Sequence, residues 1–590
     1  MATETAQKDF YKSEILGQRS GLFVLFFTEM WERFSFYGMR VLLIQFLTAA
    51  VIAGDPKSGW AWSAEQAGAL YGTYAMMLYL TPIFGGIIAD KYIGSRMAVI
   101  IGAAIMTIGH ASMAFDTPTM FFIGLACLVI GTGFFKPNMP SILGEMYKDL
   151  PEKKDGAYTI FYMGVNAGAF FGMMLCGYIA ETQGWHWGFG LAGIFMLLGT
   201  LQFAFAKPLM GNLGVLDKSK EKPETVETKE IKSTEDTDKR NPFTTLDYIL
   251  IGIVGVVGLL YAFNDPLSKN GIIDMFSSLD TPFLRGQYIM IIFALIIFIY
   301  LIVSRILRYD KVVRDRMFAV VLLAFFLIFF FMSFEQGATS LVLVARDYID
   351  RSLTGSSLTI FNMVNAAFTI VPLAIISWVL VKLAANTWKK IALSNVILVL
   401  CFVLIWGAAL WMLKNEFSKE ASEITVSWFS TLNSFFIIAL ASTVSKLWES
   451  KYNPSAAFKY GFGLILVAIG FLILGLGSMG ISEGVKISMI FLVLTYLFHT
   501  LGELFISPVG LSYVSKLVPA RMLAFMFGIW YLAIAIAQKL AAVLGGQVET
   551  IQAQYSLSHF FFLFTAIPVG AGLLVMLLNP LIKKLMHGIK

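Results

Sequence analysis

Apolar stretches about twenty residues long recur from one end of this chain to the other. Each is long enough to cross the roughly 30 Å hydrocarbon core of a bilayer as a helix. No water is present there to satisfy backbone amides, so a spanning segment must close its hydrogen bonds internally. The 590 residues are 57% hydrophobic and only 14% charged, with a mean hydropathy of +0.74, outside the range of soluble globular domains. The chain therefore reads as an all-α polytopic membrane protein. Spans are expected at 21–50, 65–90, 97–115, 119–145, 156–181, 188–206, 245–264, 284–307, 315–344, 355–382, 390–413, 424–448, 456–477, 487–515, 522–546 and 557–585. The first 20 residues are polar and the first span is too long for a leader, so no cleavable signal is expected. Cys127, Cys176 and Cys401 all fall in apolar spans and imply no disulfide framework.

Basic residues test this count. Lys12, Arg19, Lys91, Arg96, Lys148, Lys153, Arg305, Arg308, Lys311, Lys389, Lys390, Lys446, Lys516, Lys583 and Lys584 all fall on one side of the expected layout. The opposite loops hold few, among them Lys57, Lys269, Arg285, Arg346 and Lys414. The positive-inside rule then places both termini in the cytoplasm of a multi-pass protein of the cytoplasmic (inner) membrane. Residues 207–243 are dense in Lys, Glu, Thr and Asp and read as a polar cytoplasmic linker.

The first span is apolar, yet it carries Glu29, Glu32, Arg33 and Arg40, with Tyr37 among them. Each ionised group near a bilayer centre costs roughly 2.5–3.5 kcal/mol on insertion scales. At about 100° per residue, Glu29, Arg33, Tyr37 and Arg40 share an arc of about 80°, with Glu32 about 60° to one side. One face is thus charged, and it must look onto protein or water: a polar pathway through a helix bundle, or a structural ion pair.

Other polar groups recur inside spans. Lys136 lies in Gly131-Thr132-Gly133-Phe134-Phe135-Lys136-Pro137-Asn138, beside a helix-breaking proline. Tyr162 and Asn166 open the fifth span, Glu335-Gln336 sits in 315–344, and Glu503 sits in Gly502-Glu503-Leu504-Phe505-Ile506-Ser507-Pro508. Gly85–Arg96 joins the second and third spans, where Asp90 and Arg96 can pair or cap helix ends. No nucleophile–base pair, metal cluster or phosphate loop is visible, so an enzyme, a cofactor, a metal site and nucleic-acid binding are not expected.

Together, Glu29-Met30-Trp31-Glu32-Arg33-Phe34-Ser35-Phe36-Tyr37-Gly38, the Lys136 string, Phe161-Tyr162-Met163-Gly164-Val165-Asn166-Ala167-Gly168 and the Glu503 string closely resemble the proton-coupled oligopeptide transporter family. This is the peptide branch of the major facilitator superfamily, and the likeness is to its bacterial type. It covers residues 20–206, 315–345 and 424–585. The resemblance implies a major facilitator fold of two six-helix bundles with inserted helix pairs. The division would be 1–206 for the first bundle, 207–243 for the linker, 244–310 for an inserted pair, and 311–590 for the second bundle. Within the last, about 354–413 would be a second inserted pair of unknown role.

The function implied is import of di- and tripeptides with protons by alternating access, in contact with membrane lipid. By resemblance, Glu29, Glu32, Arg33 and Lys136 form the proton-coupling cluster, with Glu335 as a further member and an outer gate partner of Arg40. Arg40 and Lys136 would attract the peptide carboxylate. Asn166, Asn433 and Glu503 would hold its amino end. Tyr37, Tyr74 and Tyr79 would line the pocket, with Trp530 as an apolar wall and Phe331 where many members carry Trp. Asn433 is chosen over Asn362 and Asn365 because the sequence after it fits the passage into the next span. Phe36 stands where many members have Tyr, and Gly72 where vertebrate members have a His. Other readings are a same-fold carrier of another anion, such as nitrate, or of a peptide-like drug, and a non-transporting sensor.

If all seven groups reach one cavity, three cations (Arg33, Arg40, Lys136) face four carboxylates (Glu29, Glu32, Glu335, Glu503). One negative charge is left over. A zwitterionic peptide adds none, so one proton would neutralise the loaded cavity.

Overall fold

A computed structural model describes residues 10–115, 117–216, 241–451, 453–480, 485–519 and 522–589. Most of the linker expected at 207–243 lies outside these residues. Its start does not read as linker: Lys207–Met210 is a short helix whose end is met by Arg96, which donates to the Gly211 carbonyl at 2.6 Å.

The first half runs α1 Ser20–Thr48, α2 Ala64–Ile88, α3 Ser95–Met113, α4 Pro118–Phe135, α5 Asn138–Met146, α6 Pro151–Gln183, α7 Trp185–Phe205 and α8 Lys207–Met210. α9 Thr245–Lys269 and α10 Gly286–Ile306 follow as a packed pair. The second half holds α11 Lys311–Phe334, α12 Ser340–Asp347, α13 Gly355–Phe417, α14 Val426–Glu449, α15 Ala456–Gly477, α16 Met489–Leu517, α17 Leu523–Gly545, α18 Val548–Gln554, α19 Leu557–Leu577 and α20 Asn579–Leu585.

Among the described residues, fourteen helices are long and apolar enough to cross a membrane. α1 is not among them, because its charges exceed what such a window tolerates. The long α13 is two helices joined at Ile391, whose φ/ψ of −133°/47° is not helical. Counting both features gives the sixteen spans that the hydropathy pattern implies.

Contacts repeat between the halves. α1 packs on α6 as α11 packs on α17; α2 packs on α4 as α14 packs on α16; α3 packs on α7 as α15 packs on α19. Two six-helix bundles result, and they meet along two seams, α2 with α17 and α6 with α14. Glycines set the closest approaches. Cβ atoms at Gly168 and Gly172 on α6 would strike the Met30 and Phe34 backbone carbonyls of α1. Because lipid tails are as apolar as leucine, close van der Waals packing of this kind drives helix association here.

The inserted pair at α13 is a hairpin. Its root is a short ribbon, Ser352–Thr354 paired with Ala421–Glu423, and Asn362 donates to the Glu416 carbonyl at 3.0 Å across its base. Although it belongs to the second half in sequence, it packs on the first bundle. Ser394 donates to the Gln202 carbonyl at 2.9 Å, and Phe402 meets the rings of Phe27 and Trp31, both at 5.7 Å. Tyr178 on α6 donates to Glu416 at 2.8 Å.

At the terminal side of the first bundle, Arg19 grips Asp149 through two bonds of 2.7 and 2.9 Å. That pairing lowers the Asp149 carboxyl to about 2. A depressed carboxylate stabilises the fold above its unfolded value and loses the effect as pH falls through its folded value. Asp149→Asn should therefore lower the unfolding midpoint at pH 7, and the deficit against the parent should shrink as pH falls from about 4 to about 2. Gly172→Val should cost about 1–3 kcal/mol of stability by overpacking. Gly252→Val on α9, where a Cβ meets nothing within 4 Å, should leave the midpoint unchanged.

Candidate functional site

The charged face of α1 is buried among the helices. Arg33 places its single Nε hydrogen on Glu29 Oε1 at 2.8 Å. Glu32 Oε2 lies 3.1 Å from the same nitrogen but receives no directed hydrogen bond. Glu29 and Glu32 are both almost wholly buried. One guanidinium thus serves two carboxylates on its own helix, and Glu32 is the less well satisfied.

Two turns further along α1, Arg40 crosses to the second bundle and pairs with Glu335. Its Nε donates to the Tyr71 hydroxyl at 2.6 Å, and its guanidinium lies 5.9 Å from the centre of the Tyr37 ring. Glu335 sits where the ninth spanning helix breaks. The α-helix ends at Phe334, a single 3₁₀ turn covers Glu335–Ala338, and α12 resumes at Ser340. Gln336 braces the break, donating to Met332 O at 3.1 Å and Ala541 O at 2.8 Å while accepting from Ser340 at 2.5 Å.

Lys136 also lies at a break. It caps α4, before Pro137 and the start of α5. Its ammonium rests over the Tyr79 ring, 4.1 Å from the centroid. Among the described residues no carboxylate comes within 4.0 Å of it, so its expected place in the Glu29–Glu32–Arg33 cluster is not a direct ion pair.

On the second bundle, Asn433 of α14 donates to Glu503 of α16 at 2.9 Å and to Thr500 at 3.1 Å. Asn362 and Asn365 belong to the α13 hairpin instead. Asn166 on α6 donates to the Tyr162 carbonyl one turn back, at 3.0 Å.

A cavity of about 110 Å³ joins these groups, with Tyr37, Arg40, Asn166, Glu335, Asn433 and Glu503 in its wall. That is room for several water molecules. The cationic wall comes from α1 and the acidic wall from α11 and α16. Tyr162, Phe334, Tyr496 and His499 complete the lining. Tyr74, Tyr79, Phe331 and Trp530 do not form part of this wall, and neither do Glu29, Glu32, Arg33 and Lys136, so three of the seven charged groups, not all seven, reach this cavity. Trp530 and the Tyr460 hydroxyl both occupy the space left open by Gly510 within the second bundle. Phe331 meets the rings of Phe330 and Phe334 edge-on, and Phe334, one turn on, takes the lining position. Tyr74 is buried, and its hydroxyl makes no hydrogen bond. Tyr71 was missed by the sequence reading, although it stands one turn from Tyr74 on α2 and shares the face that the Tyr74–Tyr79 spacing marks.

The distal side, opposite the chain termini, is closed by further contacts between the bundles. Glu181 on α6 accepts from the backbone amides of Val426 and Ser427 at 2.8 and 3.1 Å, capping α14. Arg346 donates to Thr48 at 2.7 Å.

Comparison with known proteins converges with this geometry. The sequence matches the POT family over residues 96–424 and 412–561. It is 31% identical over 577 residues to the peptide transporter YePEPT of Yersinia enterocolitica, covering 95% of this chain and 94% of that protein. It is 26% identical over 581 residues to a di-/tripeptide transporter of Lactococcus lactis, covering 97% and 98%. A crystal structure of a peptide transporter POT in complex with sulfate superposes with a TM-score of 0.70 at 27% identity, covering 99% of each chain. Another, with alafosfalin bound, gives the same TM-score and identity. The chain belongs to the POT family and has its major facilitator fold.

Proposed function

We propose that this protein imports di- and tripeptides together with protons across the cytoplasmic membrane, with both termini inside and the distal side facing out. One observation carries the reading. Arg40 on the first bundle and the Glu503–Asn433 pair on the second line a single cavity, so opposite charges await the two ends of a zwitterion. The peptide-transporting relatives support the cargo class.

In this reading Arg40 and Lys136 attract the peptide carboxylate, and Asn166, Asn433 and Glu503 hold the amino group. Tyr37 and Tyr162 flank the backbone. Fixing the two ends by charge leaves the side chains to a loosely specified wall, which suits a carrier of many peptides. The Arg40–Glu335 pair is the gate. With the distal side open the pair is apart and a carboxylate arriving from outside meets a free Arg40; the pair forms again as the distal side closes. Alternating access then rocks the bundles about a midplane site.

Proton coupling follows from the unequal shares of Arg33. Its directed hydrogen bond goes to Glu29, so Glu32 gains most from holding a proton. Of the charged groups, Arg40, Glu335 and Glu503 line the cavity, which leaves one negative charge there, and a proton on Glu335 removes it. Entry of the proton's positive charge is favoured by an inward-negative potential at about 2.3 kcal/mol per 100 mV.

Uptake into liposomes tests this reading. Labelled dipeptide should accumulate under an inward-directed pH gradient and labelled nitrate should not; the reverse result would reassign the cargo. Truncating one partner of a buried charged contact costs roughly 2–5 kcal/mol. Arg40→Ala and Glu503→Gln should each weaken dipeptide binding at least about thirtyfold. Near-parental affinity in both would refute the two anchoring roles. Glu32→Gln should abolish proton-driven accumulation yet leave peptide-for-peptide exchange partly intact, and Glu29→Gln should behave alike if the two acids act as a unit. Retained accumulation in both variants would move the proton to Glu335.

A further inference from the structure

Lys539 takes no part in the cavity, yet it is an ammonium buried within a spanning helix, 4% exposed. It lies near the distal end of α17. Three acceptor groups answer it: Asp265 Oδ2 forms an ion pair with it at 2.5 Å, and it donates to the Ala69 carbonyl at 3.0 Å and to Thr73 Oγ1 at 2.9 Å. None of these acceptors belongs to its own bundle. Ala69 and Thr73 are on α2 of the first bundle, and Asp265 is on α9 of the inserted pair.

The approach is shaped for this contact. A Cβ at Gly72 would meet Ala542 Cβ at 2.7 Å and Lys539 Cδ at 3.0 Å. Glycine there lets α17 lie close enough for the lysine to reach the α2 backbone. α9 is fastened to α2 rather than to α17. Thr73 donates to the Ala262 carbonyl at 2.6 Å, Gln66 donates to the Lys269 carbonyl at 3.3 Å, and Lys269 pairs with Glu65 at 3.5 Å. The Asp265–Lys539 pair therefore crosses the seam between the bundles.

We propose that Lys539 is a positioning residue for the transport cycle, and that with Asp265 it forms a latch holding the distal side closed. This rests on the alternating-access reading given above. When the distal side opens, α2 and α9 withdraw together from α17. Asp265 keeps Lys269, one turn along its own helix at 3.3 Å. Lys539 loses its three acceptors at once. A stripped ammonium at this depth opposes opening, so the latch weights the equilibrium toward the closed distal side. The α9–α10 pair is then a strap that carries one carboxylate to the seam.

The test is the distribution of distal distances in the full-length protein without peptide. Spin labels at Lys57 and Gln554, both exposed on the distal surface, are placed in a background with Cys127, Cys176 and Cys401 replaced by alanine. The parent should show a dominant short distance. Lys539→Met should raise the ratio of long to short distances at least threefold. Asp265→Asn should shift it the same way by less, because an amide oxygen still accepts from Lys539. Thr73→Val keeps every charge and removes one acceptor, so it serves if the charge variants fold poorly, and it should give a smaller shift in the same sense. Parental distributions in every variant that folds would overturn the proposal and leave the cluster as an anchor for α9. The measurement uses no cargo, so it holds even if the parent fails to accumulate dipeptide, a failure that would strike the peptide reading alone.

Discussion

An ionised side chain inside a bilayer must be met by an opposite charge or by a full set of hydrogen-bond partners, and this requirement decides how the two bundles sit. Apolar surfaces cannot decide it, because lipid competes for them on equal terms. Arg33 is answered by Glu29 and Glu32 on its own helix, a pairing within one bundle. Arg40 is answered by Glu335 on the other bundle, and Lys539 by α2 and α9. Those two pairings cross between the bundles. Part of the buried charge is thus settled within a bundle, and part of it holds the two bundles in this arrangement.

The repeat between the halves gives this division a pattern. α1 and α11 occupy equivalent places, as shown by their packing on α6 and α17. α1 contributes Arg40 and α11 ends at Glu335. Likewise α4 ends at Lys136 while its counterpart α16 carries Glu503. Equivalent helices therefore present a cation from the first bundle and a carboxylate from the second. Two of the four positions, Lys136 and Glu335, are at helix breaks, where a side chain can leave the regular face of its helix. A cavity between such halves is polarised by construction, which suits a cargo with unlike ends.

Much of this was legible in the sequence. The charged arc on α1 came from helical spacing, and the parity of the spans came from the basic loops. The choice of Asn433 over Asn362 and Asn365 rested on the residues after it in the chain, and the structure places Asn433 beside Glu503. The features that could not be read depend on contacts distant in sequence. Trp530 turns away from the cavity because Gly510, on another helix, leaves a slot for its indole. Tyr71 becomes a partner of Arg40 only once α2 lies across α1. The break at Glu335 carries no proline to announce it, and it is held by Gln336 reaching α17. Hydropathy also could not say which bundle the α13 hairpin covers, since all its faces read as apolar.

The two inserted pairs make sense together once the seams are identified. α9 lies on α2 and reaches across the α2–α17 seam through Asp265, and the α13 hairpin bridges the other, α6–α14. On one side the hairpin meets α6 through Tyr178 and Glu416. On the other, Phe368 stacks on Phe435 of α14 at 4.2 Å and Phe361 meets Trp428 at 5.1 Å. The two fastenings differ in kind. A charged hydrogen-bond set is directional and is lost within about an ångström of movement, beyond which its donors and acceptors are unpaired. Stacked rings tolerate sliding, since offset arrangements over a range of centroid separations are all favourable. Rocking about the midplane strains both seams at their distal ends. The α6–α14 seam can yield gradually beneath its aromatic contacts, with the three-residue ribbon at the hairpin root as a compliant joint. If Lys539 acts as the proposed latch, the α2–α17 seam opens only when its charged set breaks together, and a rocking motion that yields gradually on one seam would be divided into two discrete states by the other.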